Sequence, residues 1–249
     1  MTATRPPELL VPTLADFVRA RRSRLGLNRQ TLAAAADLSM GYVTKIEQGA
    51  GVSPTPSVLN SLTGLFALTA DERTHLYRLA GRESELDDPT GADAGLDAAS
   101  ARRTVEALSP NPAALFGSGW DFVEGNQAFD DTFPGLRGAG NVLVWMFTNP
   151  RARLVHEEWE REAALAVGRY RHYAAADVDP EAVGALLEEL GAHPDFRRLW
   201  TSGVVSTARP DPLMRLREPG TGTVFTVRVV ALRTADTAVP QRLFLGLRR

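Results

Sequence analysis

The sequence has no cysteine, only one lysine and no long apolar segment. Without cysteine, the 249-residue chain cannot form a disulfide scaffold, a thiolate zinc site, an iron–sulfur cluster or a cysteine nucleophile. No segment approaches the roughly 20 apolar residues of a membrane-spanning helix, and the first residues form no apolar signal core. We therefore expect a cytoplasmic protein with no cofactor and no membrane partner.

Charge is unevenly distributed along the chain. The net charge is −2, but residues 1–82 carry ten Lys and Arg against six Asp and Glu, a local excess of four positive charges. The remaining residues carry 18 against 24. A basic first third on an acidic remainder favours a polyanionic partner for that third alone.

Helical spacing dominates residues 1–82. Apolar residues recur at intervals of three and four, and Thr13, Asn28 and Ser39 are in position to cap helices. The pattern predicts a compact all-α domain of five helices. It stops in the acidic, Gly- and Pro-containing stretch that follows, so we interpret residues 83–109 as a linker. Residues 101–108 within this stretch fit a short helix.

The remaining residues, 110–249, combine helical and strand patterns. Ala114–Gly117 and Trp120–Glu124 favour a hairpin, and β-rich segments at Leu213–Arg217, Thr223–Leu232 and Arg242–Leu247 end the chain. Helices lie between them, and one long helix is predicted from Asn149-Pro150 to Tyr173. The apolar run Asn141–Phe147 fits either a helix or a strand. This order of elements predicts an α+β domain with an antiparallel sheet.

The most informative segment is NRQTLAAAADLSMGYVTKIEQG, residues 28–49. It predicts two short helices joined by a tight turn, with small Ala33 and Ala36 at their crossing. The second helix, which starts after Ser39, can enter a major groove about 12 Å wide. The candidate residues for contact with double-stranded DNA are Arg29, Ser39, Met40, Gly41, Tyr42, Thr44 and Lys45.

This segment resembles the helix-turn-helix of XRE/Cro-type repressors. The resemblance rests on the pattern R-x-x-L-A-x-x-A-x-L-S-x-x-Y-V-T-K-I-E-x-G, which begins at Arg29. It implies that Arg29 contacts a phosphate and that Ser39 to Lys45 begin the recognition helix. It also implies a structural role for Glu47. The segment departs from the family at Asp37, where glycine is usual in the turn, and at Gly41 within the recognition helix.

Three further stretches resemble the sensor domain of MmyB-like regulators. They are SPNPAALFGSGWDFVEGNQAF, NVLVWMFTNPRARLVHEEWEREA and ELGAHPDFRRLWTSGVV. The resemblance implies a PAS-like domain that binds small apolar ligands, fatty acids among them. The function expected from both resemblances is a sequence-specific transcription regulator that senses such a ligand.

Aromatic residues beyond residue 110 are the candidates for lining a ligand pocket. Aromatic residues at core spacing are also common in ordinary cores, so that alternative stays open. Asn126 is a possible polar handle. The candidate ligand-binding residues are Trp120, Phe122, Asn126, Phe129, Trp145, Phe147, Trp159, Phe196, Trp200 and Phe225.

Two other functions compete with ligand sensing. The second domain could be an interaction or dimerisation module without a small ligand. An enzyme is less favoured, because His156 and Glu160 could share a helix face with a metal but a third ligand, His172 or His193, has no support in the pattern. We expect no enzyme activity. We expect a homodimer, because one small module gives little affinity for a specific site.

Overall fold

A computed structural model describes residues 11–82, 97–117, 119–175, 180–233 and 241–249. The chain forms two compact units: Met1–Asp88, Arg171–Leu187 and Val205–Ala208 make up the first, and Pro89–Tyr170, Glu188–Val204 and Arg209–Arg249 the second. The first part of the predicted linker, residues 83–96, lies outside the described residues. In the described part of the chain, no helix has both the length and the apolarity that a membrane crossing requires.

Five short helices form the N-terminal part of the first unit. Side chains cap three of them as the sequence predicts: Thr13, Asn28 and Ser39 each accept a hydrogen bond from a backbone N–H in the first helical turn. Thr69 and Glu72 form a reciprocal capping box on the fifth. The helices are α1 (Leu14–Arg24), α2 (Arg29–Ala35), α3 (Met40–Gln48), α4 (Pro56–Leu65) and α5 (Ala70–Leu79).

The apolar faces of these helices meet in one core. The turn between α2 and α3 contains Asp37 at a φ of 56°, a left-handed conformation in which Asp is tolerated better than most residues. The backbone N–H of Leu38 closes this turn on the carbonyl of Ala33. The buried core residues are Val18, Leu32, Ala33, Ala36, Val43, Ile46, Leu59, Leu62, Phe66, Leu76 and Tyr77.

The rest of the chain contains eight helices and five strands among the described residues. The apolar run whose conformation the sequence left open is helical, as α9. The helices are α6 (Ala98–Glu106), α7 (Gln127–Thr132), α8 (Leu136–Ala139), α9 (Val142–Thr148), α10 (Pro150–Val155), α11 (Trp159–Tyr173), α12 (Pro180–Gly191) and α13 (Pro194–Thr201). The strands are β1 (Ala113–Phe116), β2 (Phe122–Gly125), β3 (Leu213–Arg217), β4 (Val224–Arg233) and β5 (Arg242–Arg248).

The five strands form one antiparallel sheet in the order β2-β1-β5-β4-β3. The predicted hairpin is β1 and β2, and the three predicted C-terminal strands are β3, β4 and β5. Strand β5 lies between β1 and β4, with Ala113 opposite Leu245 and Val230 opposite that same leucine. The sheet and the helices together confirm the predicted α+β class.

The second part of the predicted linker is folded. Helix α6 lies in residues 97–109 and packs on the sheet, where Ala101 and Val105 form a small core with Ala113 and Leu115. All four side chains are fully buried. The sequence indicates a short helix here, over residues 101–108, but its few apolar residues do not show that it packs on the sheet.

The predicted helix from Asn149-Pro150 to Tyr173 is interrupted. It consists of α10 and α11, with residues 156–158 between them. There His156 pairs with Leu216 of β3 as an isolated antiparallel bridge, and the N–H of Glu157 donates to the carbonyl of Arg215. The edge strand β3 therefore pairs with backbone groups that a continuous helix would have hydrogen-bonded internally. The apolar spacing is helical on both sides of residues 156–158, so the sequence pattern does not indicate the break.

Candidate functional site

Helix α3 has the structure expected of a recognition helix. The Ser39 hydroxyl accepts the Tyr42 N–H at 3.1 Å, and Gly49 ends the helix at a φ of 66°. Val43 and Ile46 are buried and anchor the helix to the core. The helix is therefore fixed along one side and presents the other side to solvent.

The predicted DNA-contacting residues of α3 divide by exposure. Gly41 and Lys45 are exposed, as is Met40 with 58% of its surface. Tyr42 and Thr44 are partly buried: Tyr42 packs against the core, and the Thr44 hydroxyl donates to the Met40 carbonyl at 2.8 Å. Lys45 and Met40 thus have the greatest freedom to meet a partner, and Tyr42 also supports the fold.

Arg29 stands at the first turn of α2 and is held by a buried carboxylate. Glu47, which is fully buried, accepts from Arg29 Nε and from Arg22 Nε, each at 2.6 Å. Burial alone would raise the pKa of Glu47, but the hydrogen bonds and charges of the two arginines outweigh it and lower the pKa. The Arg29 guanidinium remains about half exposed, so its other N–H groups can still reach an anion.

A cavity of about 110 Å³ lies in the second unit, between the sheet and helices α7, α8, α9 and α11. Its wall is mainly apolar and includes three of the predicted aromatic residues, Trp120, Phe129 and Trp145. Trp120 has a φ of 69°, an unusual conformation for a bulky residue, and is held by hydrogen bonds at its N–H to Gly117 and at its carbonyl from Val142. Strained backbone conformations that surrounding hydrogen bonds hold in place tend to occur at functional positions.

Four polar side chains complete the cavity wall. Arg209 donates to both carboxylate oxygens of Glu162, each at 2.6 Å, and the Arg169 guanidinium lies over the Trp120 ring at 4.7 Å from its centroid. His156 is 4% exposed and packs against aromatic rings. Burial, and in addition the charge of Arg209, lowers the pKa of His156 to about 3, so its imidazole is neutral near pH 7.

The other predicted ligand-binding residues do not line this cavity. Four of them, Phe147, Trp159, Phe196 and Trp200, pack in a separate aromatic cluster. The guanidinium of Arg137 lies over the ring of Phe122, and the guanidinium of Arg248 lies over the ring of Phe225. These rings recur at core spacing along the chain, and the sequence does not distinguish one aromatic cluster from the other.

Asn126, the predicted polar handle, has a structural role, because its amide hydrogen-bonds backbone groups. Its Oδ1 accepts the N–H groups of Ala113 and Phe129, and its Nδ2 donates to the carbonyls of Val105 and Asn111. The amide is fully buried. Its hydrogen-bonding capacity is used in joining α6, β1 and α7.

Sequence reasoning missed several residues of the cavity wall. The alternation of β5 could have indicated Phe244, which faces the cavity between two leucines that pack on the opposite face of the sheet, against the core of α6. No signal indicated the polar groups, because their convergence depends on the break at residue 156 and on a loop before β3. The missed residues are Phe116, Phe133, Leu136, Val142, Met146, His156, Glu162, Leu165, Ala166, Arg169, Arg209, Met214, Val229 and Phe244.

The suggested metal pair is not formed. His156 lies in the cavity wall, whereas Glu160 forms an ion pair with Arg198. Among the residues that the structure describes, no group of three or more His, Asp or Glu side chains is placed to hold a metal ion.

Comparison with known families accounts for both parts of the chain. Residues 13–76 match a helix-turn-helix domain, and residues 98–245 match the MmyB-like transcription regulator ligand binding domain. No curated protein matches the chain. With helix α3 and the cavity, these matches identify a DNA-binding transcription regulator with a ligand-binding domain. The chain belongs to the family of MmyB-like transcription regulators.

Proposed function

We propose that this regulator reads a specific operator with α3 and binds a small apolar ligand in the cavity of the second unit. The observation that supports the ligand class is the cavity wall, which is mainly apolar and borders a space of about 110 Å³. An engineered apolar cavity of roughly 150 Å³ binds benzene. The cavity is of the same order of volume, so a ligand with an apolar group near the size of benzene suits it.

For DNA binding, the supporting features are the exposed face of α3 and the position of Arg29 at the start of α2. Fragmented genomic DNA bound by the purified full-length protein should be enriched in one sequence motif. Binding to that motif should weaken with salt, because phosphate contacts release counterions. Recovery of random fragments, or no retention at low salt, would contradict sequence-specific reading.

For the ligand, the direct experiment is native mass spectrometry of the purified protein. We expect an additional mass that disappears on organic extraction and belongs to a small apolar molecule. The extracted molecule should also change operator affinity, since a ligand shifts the DNA-binding equilibrium only if it binds one state better. A ligand-free protein that binds none of a panel of small apolar molecules would contradict this role.

We also propose that the regulator binds DNA as a homodimer in the cytoplasm. A single small module buries limited surface on DNA, and two half-sites add their contacts. Sedimentation of the protein with operator DNA should give two chains per duplex, and the enriched motif should contain two related half-sites. One chain per duplex at saturation would argue against a dimer.

An interaction module without a ligand is the second candidate. It is favoured by three exposed apolar side chains on β4 and β5, Val224, Leu232 and Leu247. If this is the function, replacing all three with Thr should abolish a protein contact made there, and the wild-type protein should bind no small apolar molecule. A ligand sensor should bind such a molecule whether or not these three residues are replaced.

A further inference from the structure

The polar groups of the cavity indicate the chemistry at the polar end of its ligand. This inference rests on the ligand-binding role proposed above. His156 and Arg209 both line the cavity, and they are close enough for the charge of Arg209 to act on the imidazole. Both side chains therefore belong to the wall that a ligand in this cavity would contact.

Each of these two side chains has a buried nitrogen without a hydrogen-bond partner in the described part of the chain. They are Nδ1 of His156 and Nε of Arg209. An unsatisfied buried polar atom is destabilising, and native proteins satisfy the great majority of such atoms. Two of them on one cavity wall are best explained by a partner that enters the cavity.

The Arg209 Nε–H can only donate, whereas a neutral imidazole offers one donor and one acceptor. A hydroxyl group matches both, because its oxygen can accept a hydrogen bond from the guanidinium and its O–H can donate one to the imidazole. It also suits either tautomer of the histidine. A purely apolar molecule would leave both nitrogens unsatisfied.

A carboxylate is a poorer match for this end of the cavity. The two terminal nitrogens of Arg209 are already bound by Glu162, which is 5% exposed. A second carboxylate on the same guanidinium would bring two negative charges together away from water, which disfavours ionisation of both. The other arginine of the wall, Arg169, is engaged with the Trp120 ring.

We propose that the ligand is a small apolar molecule with one uncharged hydroxyl group, and that His156 and Arg209 bind this hydroxyl. The aromatic wall holds the apolar body of the molecule. The cavity volume suits an apolar group about the size of one six-membered ring. A phenol is the simplest member of this class.

Three probes with one benzene ring test the proposal on the full-length protein: toluene and phenol, which have nearly the same shape, and benzoate, which carries a carboxylate. Their dissociation constants are measured at pH 7 by titration calorimetry. We expect phenol to bind about tenfold more tightly than toluene, and benzoate to bind more weakly than either, because a site built to hydrogen-bond a hydroxyl discriminates against molecules without one. His156→Phe should remove the preference for phenol over toluene while toluene binding persists.

The matched control is His75→Phe, which makes the same replacement at a buried histidine outside the cavity wall. It should keep the preference for phenol. If His156→Phe fails to fold, His156→Asn, which retains hydrogen-bonding groups, should keep part of the preference, and the three wild-type constants still decide the question.

Equal affinity for toluene and phenol, or tightest binding of benzoate, would overturn the hydroxyl assignment and leave the apolar cavity as a ligand site. Failure of all three probes to bind would overturn the cavity's proposed role as well. The two failures are therefore distinguishable.

Discussion

The carboxylate of Glu47 lies 2.6 Å from the Nε of Arg29, and so joins the recognition helix to the first residue of the helix before it. A second arginine, Arg22 of α1, binds the other oxygen of the same carboxylate. One buried acid thus connects three helices and also orients a guanidinium that remains accessible to DNA phosphate. We therefore expect stability and DNA binding to depend on the same group.

Replacing Glu47 with Gln should reduce both properties. Breaking a buried ion pair typically costs 3–5 kcal/mol, and we expect about 2–3 kcal/mol here because Arg29 is partly exposed and screened. Urea unfolding measures the first effect and DNA affinity at fixed salt the second. The control is Asp16→Asn, which removes an exposed ion pair with Arg19 and should cost about 0.5 kcal/mol or less. A Glu47 variant with unchanged stability would show that the pair is not a structural connection.

Replacing Lys45 with Ala should weaken DNA binding without loss of stability, because this side chain is exposed and is not part of the core. A lost phosphate contact lowers the salt slope by about one unit, and a lost base contact costs roughly 1–3 kcal/mol at one base pair. Fluorescence anisotropy across a salt series measures both.

Arg103→Ala is the charge-matched control for Lys45, since Arg103 is exposed on α6 of the second unit. Its affinity for the operator should equal that of the wild type. If the two variants behave alike, the effect of Lys45 is one of net charge alone.

Gly41→Ala should have opposite effects on the stability of the protein and on its affinity for the operator. A Cβ at this position would meet only the Ser39 Oγ, at 4.0 Å, so the fold does not require glycine. Alanine should raise the free energy of unfolding by up to about 1 kcal/mol. If the backbone of α3 lies close to DNA, the same methyl group should lower operator affinity at least several-fold. A gain in stability with unchanged affinity would mean that Gly41 does not face the operator closely.

Filling the cavity should prevent ligand binding without unfolding the protein. Ala166 lines the cavity on α11, whereas Ala164 on the same helix does not. Ala166→Leu should weaken toluene binding at least tenfold, and Ala164→Leu should leave it unchanged. Calorimetric titration measures both, and thermal unfolding checks the fold. Unimpaired binding to Ala166→Leu would place the ligand elsewhere.

Stability should fall on mild acidification because two histidines are buried in their neutral form. Burial and nearby positive charge lower the pKa of His75 and of His156 to about 3, against an ordinary value of 6.5. The unfolded chain therefore binds more protons between these values, and unfolding becomes easier as the pH falls from 6.5. The positive or titratable groups that act on His75 are His172, Arg171, Arg78 and Arg21.

The expected slope between pH 6.5 and 5 is up to about 1.4 kcal/mol per pH unit for each histidine. This window lies above the range in which most carboxylates take up protons. Urea unfolding at several pH values measures the slope, and His156→Phe should reduce it by about half. A free energy of unfolding that stays constant across the window would contradict neutral burial of both side chains.

The N-terminal domain was largely predictable because local signals determine it. Caps at Thr13, Asn28 and Ser39 mark where helices begin, and apolar spacing within each helix marks its buried face. The sheet was predictable for a similar reason, since its strands alternate and lie between turn residues. Fold class and family follow from such short-range patterns.

The ligand cavity was only partly predictable. Trp120, Phe129 and Trp145 lie in its wall, but seven other candidates do not. Aromatic residues carry the same sequence signal whether they surround a space or fill one. Only the packing of helices on the sheet decides which of the two occurs.

By itself, the sequence determined the helical N-terminal domain, the position of its recognition helix and the α+β class of the remainder, because each depends on residues close together in the chain. The tertiary structure alone decided that Glu47 holds two arginines and that a bridge to Leu216 interrupts the helix at His156. That bridge joins residues 60 positions apart. No local sequence pattern indicates that a distant edge strand will pair with the backbone of a predicted helix. The polar end of the cavity exists because of it.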